Sequence, residues 1–115
     1  MRNFDTGATR DSDESKIDFE GFLSPKALKR FGEYMQKNRI QADGKLRASD
    51  NWKKGIPLEA YMKSMWRHFY SVWEKHHDFD HSEDQEEDLC ALFFNVQGYL
   101  HEIMKLKAQY DGRSF

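Results

Sequence analysis

The sequence predicts an all-α protein with three main helices, and two observations carry that prediction. Apolar residues recur at helical spacing in three separate stretches, and no stretch alternates apolar and polar residues as a half-buried strand would. Each of the two prolines stands at the start of one of these stretches, where a helix tolerates proline best. With 115 residues, the chain is expected to be a single domain, with an irregular arm over residues 1–23 and a helical core over residues 24–110.

The first main helix is predicted from Pro25 to about Lys37. Ser24 precedes it and belongs to the residue types that cap helix N-termini best. A polar stretch follows over residues 38–55, in which Gly44 and Gly55 indicate turns. A long loop of this kind in a small domain is usually functional or disordered.

The second and third helices are predicted over residues 57–76 and 83–109. Ser82 and Gln85 have the spacing of a capping box at the start of the third helix. Nine Phe, five Tyr and three Trp are more aromatic residues than three helices bury alone, and we therefore expect a homo-oligomer that completes the core. The apolar stripe of the third helix, which we expect to face that core, comprises Leu89, Leu92, Phe93, Val96, Leu100 and Ile103.

The net charge of -2 hides an uneven distribution of charge along the chain. Residues 25–75 carry seven more basic than acidic groups, whereas residues 76–115 carry six more acidic than basic groups. This distribution favours either attraction of phosphates by the basic segment or pairing of the basic and acidic segments within the chain. No reader motif for duplex nucleic acid is present, so duplex nucleic acid is not an expected partner. No apolar run is long enough to span a membrane. The single cysteine and the lack of a secretory signal predict a cytoplasmic protein.

The third helix carries a second, polar stripe. Asp88, Asn95 and Glu102 repeat every seven residues and therefore lie close to one face. Small residues lie between them, including Gly98, which costs helix stability relative to alanine. Such a face permits the close approach either of a ligand or of another helix, and the sequence leaves both open.

Two further groups of residues have both a binding and a structural interpretation. Arg67 beside His68 in the second helix is suited to gripping a phosphate, although His68 is equally an ordinary core-edge side chain bonded to a carboxylate such as Asp88. Asn51 and Trp52 precede the second helix, where an indole is able to stack on a base or to cover the small core.

Carboxylates crowd the start of the third helix. Glu83 and Glu86 lie on one helical face, and Mg²⁺ prefers such oxygen ligands together with substrate phosphates. Acidic residues in a first helical turn also stabilise the helix through its dipole, which is the alternative reason for their presence.

An ordered set of short motifs resembles a widespread phage family, the dATP/dGTP diphosphohydrolase N-terminal-domain proteins. The resemblance extends over about residues 7–100. The matching motifs are Gly7-Ala8-x-Arg10-Asp11, Lys16-x-Asp18, Leu23-Ser24-Pro25-x-Ala27-Leu28, Asp50-Asn51-Trp52-x-Lys54-Gly55-Ile56-Pro57, Arg67-His68 and the third-helix run that ends at Asn95.

The resemblance implies hydrolysis of purine deoxynucleotides to a monophosphate and pyrophosphate. That reaction is typical of the all-α MazG-type pyrophosphohydrolases, which hold Mg²⁺ with an E-x-x-E motif and a later E-x-x-D motif. This chain contains Glu83-x-x-Glu86 but no E-x-x-D after it. The sequence therefore leaves open whether the chain is an enzyme.

The leading hypothesis is a phage protein of the host cytoplasm that binds a purine nucleotide between the second and third helices. Its predicted nucleotide-binding residues are Arg10, Asp11, Lys16, Asn51, Trp52, Arg67, His68 and Asn95. If the chain is an enzyme, Asp88 and His68 are the predicted catalytic residues, and Glu87, Asp88 and Glu102 are the predicted ligands of Mg²⁺ or Mn²⁺. The alternatives are a non-catalytic sponge that sequesters a nucleotide, and a helical adaptor that binds another protein.

Overall fold

A computed structural model of the chain describes residues 2–10 and 15–110. In the N-terminal arm, strand β1 (Arg2–Asn3) pairs antiparallel with β2 (Thr9–Arg10), and the one-turn helix α1 spans Phe19–Phe22. Three main helices follow and confirm the predicted all-α fold. Helix α2 spans Pro25–Lys37, α3 spans Leu58–His77 and α4 spans Glu83–Tyr110.

The short elements of the arm depend on local hydrogen bonds rather than on helical periodicity. The turn between β1 and β2 uses Gly7 at a φ of 86°, a conformation that glycine adopts without strain. The carboxylate of Asp18 caps α1 by accepting a hydrogen bond of 3.0 Å from the Gly21 N–H. Every described residue from 3 to 24 is exposed, so the arm lies outside the helical core.

Helix α2 begins as predicted. The Ser24 hydroxyl accepts a hydrogen bond of 3.1 Å from the Ala27 N–H, and Pro25 occupies the first turn. The polar stretch after α2 contains both predicted turns, with Gly44 at a φ of 82° and Gly55 at a φ of 115°. A short 3₁₀ helix at Asn51–Lys54 then leads towards α3.

Helices α3 and α4 form an antiparallel hairpin, because early residues of α4 meet late residues of α3. Asp88 contacts Lys75, whereas Gly98 lies against Tyr61. Helix α3 begins one residue later than predicted, since Pro57 is its N-cap. Helix α2 packs on the other side of α4.

The predicted capping box at the start of α4 is wrong in its partners. The Gln85 side chain donates a hydrogen bond of 3.2 Å to the Val72 carbonyl oxygen of α3, so it helps to hold the hairpin together. The Ser82 N–H donates instead to the carboxylate of Asp80 at 2.8 Å. An acidic residue in the connecting turn thus takes the place predicted for Gln85.

The core within one chain is small. Tyr61 is a large side chain that is fully buried, at 1% exposure, and the buried residues of α4 include Ala91, Asn95 and Gly98. Packing against α3 uses the neighbouring stripe of small and polar residues, so much of the apolar stripe of α4 that we predicted to form the core stays exposed within a single chain, although Phe93 contacts Phe31 of α2. Half-exposed members of the predicted stripe are Leu89, Phe93, Val96 and Leu100.

None of the helices in the described ranges combines the length and the apolar character needed to cross a membrane.

Candidate functional site

A cavity of about 480 Å³ lies between α2, the loop that follows it and α4. Its volume falls within the roughly 300–1,000 Å³ that is usual for small-molecule sites. Polar and aromatic side chains share its lining. Members of that lining that bear on binding are Arg39, Arg47, Ser49, Asn51, Trp52 and Phe94.

Arg39 and Arg47 are brought together by the narrow loop between them. The Arg47 N–H donates to the Arg39 carbonyl oxygen at 2.7 Å, and the Arg39 Nε donates to the Arg47 carbonyl oxygen at 2.8 Å. The Arg39 Nη1 donates in addition to the Gln36 Oε1 at 3.3 Å. Within the described residues, neither guanidinium has an ion pair with a carboxylate. Two cationic groups with planar donor arrays, the kind that bind phosphate best, therefore line the same cavity.

Trp52 supplies an aromatic wall and is anchored on α4. Its half-buried ring meets the Phe94 ring edge-on at 6.3 Å and the His101 ring at 4.9 Å between centroids. The Lys53 Nζ lies 5.7 Å from the Trp52 ring centroid, within the range of a cation–π contact. The Trp52 indole therefore packs against the core and also borders the cavity. The first contact agrees with a role in covering the core, and the second leaves a role in stacking on a base open.

The structure brings two of the predicted nucleotide-binding residues into this cavity, Asn51 and Trp52. Arg10 and Lys16 are exposed in the arm. Asp11 lies outside the described residues. Neither Arg10 nor Lys16 lines the cavity.

Asp88 and His68 meet between α3 and α4 in a polar network. One carboxylate oxygen of Asp88 lies 2.9 Å from the His68 Nδ1, and the other accepts hydrogen bonds from Ser71 and Lys75 at 2.5 Å each. Burial opposes ionisation of Asp88, but the bonds from His68, Lys75 and Ser71 outweigh it and lower the pKa of Asp88 to about 2. An ionised carboxylate only accepts hydrogen bonds, so the His68 Nδ1 carries a proton.

This network predicts an acid-sensitive contribution to stability. The folded-state pKa of Asp88 lies below the ordinary value of about 3.9, so its stabilising effect is complete above about pH 4 and is lost as the pH falls towards about 2. The free energy of unfolding of the wild type and of Asp88→Asn, measured by urea titration from about pH 6 to pH 2.5, should converge at the acid end. A constant difference across that range would contradict the assignment.

The remaining polar stripe of α4 serves helix packing. The Asn95 Nδ2 donates a hydrogen bond of 2.7 Å to the Ala91 carbonyl oxygen of its own helix, and the Asn95 side chain is buried. A Cβ atom at Gly98 would collide with the Tyr61 ring, so α3 and α4 approach closely there. Arg67 lies exposed on α3. The cavity described above is thus on the α2 side of α4, whereas the sequence placed the nucleotide on the α3 side.

The predicted metal ligands do not fit a single Mg²⁺ held by one chain. Glu87 is already bound to Arg30 at 3.0 Å and to Lys37, and the Lys37 contact is the main cause of its lowered pKa. Asp88 is occupied by the network above. Glu102 lies fourteen residues further along α4, a distance of about 21 Å at the helical rise. In the described part of the chain, no three His, Cys, Asp or Glu residues are grouped so that they could hold a metal ion.

A family model described as dATP/dGTP diphosphohydrolase, N-terminal, matches residues 6–113 of the chain. The chain belongs to this family. The resemblance seen in the sequence is therefore confirmed over almost the whole length of the chain. No curated protein and no solved structure matches the chain significantly.

Sequence reasoning missed the two arginines that line the cavity of this member of the dATP/dGTP diphosphohydrolase N-terminal family. Arg39 and Arg47 flank a polar turn that contains Gly44. They lie at equal distances from the turn on its two sides, and this symmetry is the feature of the sequence that predicts their proximity. A hairpin turn places residues that flank it side by side, so two cations in that position converge. The sequence favours Arg67 instead, because it adjoins a histidine within a regular helix.

Proposed function

We propose that this chain binds a purine nucleotide in the Trp52 cavity, the space lined by Arg39, Arg47, Asn51 and Trp52. The observation that carries the proposal is that two guanidinium groups and an anchored indole border one cavity of about 480 Å³. The family description names dATP and dGTP, which combine a purine base with a phosphate chain. We place this activity in the cytoplasm of a phage-infected cell.

Each part of the ligand has a chemically suitable partner. The Trp52 ring is suited to stack on the base, because base–aromatic stacking is favourable for every base. Arg39 and Arg47 are suited to donate paired hydrogen bonds to phosphate oxygens. The Asn51 side chain offers both a donor and an acceptor for the base or the sugar.

The proposal covers binding and leaves two fates for the bound nucleotide. Hydrolysis to a monophosphate and pyrophosphate follows the family description, but Glu87, Asp88 and Glu102 do not form one metal site within a chain. Retention without chemistry makes the protein a nucleotide sponge. A helical adaptor for another protein is the weaker alternative, because it gives the paired arginines beside Trp52 no role.

The Arg47→Ala variant tests the site. Arg47 is exposed and its backbone hydrogen bonds survive the substitution, so the fold should be retained. Loss of charge-assisted hydrogen bonds worth about 1.5–3 kcal/mol should weaken the binding of dATP or dGTP by roughly 10–150-fold in isothermal titration calorimetry. A purine triphosphate should also bind the wild type more tightly than inorganic tripolyphosphate, which has no base to stack.

Arg67→Ala is the matched control, because it removes the same charge from an exposed position on α3. Its affinity should equal that of the wild type. If Arg67→Ala loses the nucleotide and Arg47→Ala keeps it, the ligand lies along α3 as the sequence first suggested, and the cavity assignment is wrong.

The fate of the nucleotide is read by chromatography. Purine nucleotides, linear and cyclic, are incubated with the protein, with and without Mg²⁺ or Mn²⁺, and are analysed before and after heat denaturation. A metal-dependent monophosphate with pyrophosphate identifies a hydrolase, whereas an intact nucleotide released by heat identifies a sponge. Nucleotides that stay free and unchanged would refute binding and favour the adaptor.

A further inference from the structure

We infer that the outer face of the α3–α4 hairpin is an interface between two copies of this chain, which together form a four-helix bundle. The apolar face is defined by Met62, Trp66, Phe69 and Trp73 of α3 together with Val96 and Leu100 of α4. The inference is independent of the proposed nucleotide site, because that site lies between α4 and α2 and shares no lining residue with the apolar face.

The two helices share a continuous apolar groove at the centre of this face. It has a volume of about 290 Å³ and is lined by Met62, Met65, Trp66, Phe69 and Leu92. None of these side chains carries a charge or a strong hydrogen-bonding group apart from the indole N–H. Water in such a groove finds few hydrogen-bonding partners, so burial of the groove under an apolar occupant is favoured.

The exposed area of the face approaches the area that one partner contributes to a stable dimer. Trp66 is 67% exposed, and Phe69 and Trp73 are each about half exposed. At about 150–250 Å² for each buried aromatic side chain, these three rings alone present roughly 250–400 Å². The aliphatic members extend this area towards the roughly 600–1,000 Å² that each partner contributes to a standard-size interface. Monomeric proteins seldom leave an apolar patch of this extent uncovered.

The shape of the face favours a second copy of this chain as its occupant. One half of the face is a ridge of bulky aromatic side chains on α3, and the other half is a lower row of aliphatic side chains on α4, so a two-fold rotation places the ridge of one protomer over the row of its partner. Two antiparallel helices with one apolar face also make half of a four-helix bundle.

The charges at the two ends of α4 agree with such an arrangement. Its first turn is acidic, with Glu83, Asp84 and Glu86, and its last turn carries Lys107. The two-fold axis that sets ridge over row is parallel to the helices, and it places the acidic first turn of α4 near the basic last turn of the partner's α3, which carries Lys75, His76 and His77. At the other end, Lys107 lies near Glu59 of the partner subunit, so opposite charges meet at both ends of the interface.

The experiment is sedimentation equilibrium of the wild type and of three single variants. The wild type should sediment at twice the chain mass of 13.7 kDa. Trp66→Glu and Leu100→Glu each place a charge on one half of the face and should sediment at the mass of one chain. Ile40→Glu is the matched control, since Ile40 is 63% exposed but lies in the loop after α2, and this variant should remain a dimer.

Circular dichroism tests whether the variants remain helical. Two variants probe the face, so that if one of them misfolds the other still gives a decisive result. A wild type that sediments as a monomer at all concentrations would overturn the inference. A dimer that persists in folded Trp66→Glu and Leu100→Glu would overturn the assignment of this face. A dimer lost in all three variants would overturn it as well.

Discussion

Replacement of Gly98 by alanine is expected to lower the free energy of unfolding by about 1–2 kcal/mol, even though alanine is the better helix former. The added methyl group would collide with the ring of Tyr61, which is fully buried. Overpacking of a core typically costs about 1–3 kcal/mol, and an overlap this severe belongs to the upper part of that range, so the cost exceeds the gain of about 1 kcal/mol in helix propensity by about 1–2 kcal/mol. Urea denaturation followed by circular dichroism measures the difference.

Gly32→Ala provides the matched control. Gly32 also lies within a helix, α2, but a Cβ atom there would meet nothing within 4 Å. This substitution should therefore raise the free energy of unfolding by about 0.5–1 kcal/mol, the propensity gain alone. If both variants are equally stabilised, α3 and α4 do not approach as closely as described.

Loss of the Asp88 carboxylate should have an effect of similar or greater size. In Asp88→Ala, the His68, Ser71 and Lys75 groups all lose their shared acceptor, and Lys75 keeps its charge at a site where its side chain is only 23% exposed. Removal of one partner of a buried ion pair costs about 3–5 kcal/mol. Because Lys75 and His68 both still reach solvent, we expect a loss of about 2–3 kcal/mol in the free energy of unfolding.

The control for Asp88→Ala is Glu59→Gln. Glu59 and Lys63 form an ion pair of 3.5 Å on the exposed surface of α3. An exposed pair at this helical spacing contributes at most about 0.5 kcal/mol, so Glu59→Gln should leave stability almost unchanged. Equal effects of the two substitutions would show that the Asp88 network contributes no more than a surface ion pair.

Substitution of Asp88 also bears on catalysis. Asp88 was predicted as a catalytic residue and a metal ligand from its place in the polar stripe, and that role stays a prediction. Its described contacts give it a structural role that is sufficient to explain its presence. Activity lost in Asp88→Asn therefore counts towards catalysis only if circular dichroism shows that the variant is still folded under the assay conditions.

The helices of the fold could be predicted because their signals are local. Ser24 and Pro25 mark the start of α2 through a single side-chain cap, and the glycines at 44 and 55 mark turns through their positive φ angles. The element that packs on each apolar face, by contrast, is not determined by the local sequence. The spacing of Val96 and Leu100 identifies an apolar face of α4, but α3 packs instead against Ala91, Asn95 and Gly98.

The candidate site was only half predictable for a related reason. Asn51 and Trp52 are adjacent in the sequence, so one motif predicted both. Arg39 and Arg47 are eight residues apart, and only the hydrogen bonds of their shared turn bring them to one cavity. Asn95 stays a predicted binding residue, although its buried side chain donates a hydrogen bond to the backbone of its own helix.

The attachment of α2 to α4 has a consequence for how the protein responds to ionic strength. Arg30 and Lys37 hold α2 to Glu86 and Glu87 through ion pairs that reach the surface, where dissolved salt weakens them. The α3–α4 hairpin relies more on close packing around Tyr61, which salt leaves largely unaffected. Helix α2 and its loop form one wall of the Trp52 cavity. Added salt therefore acts on the shape of the cavity before it acts on the rest of the fold.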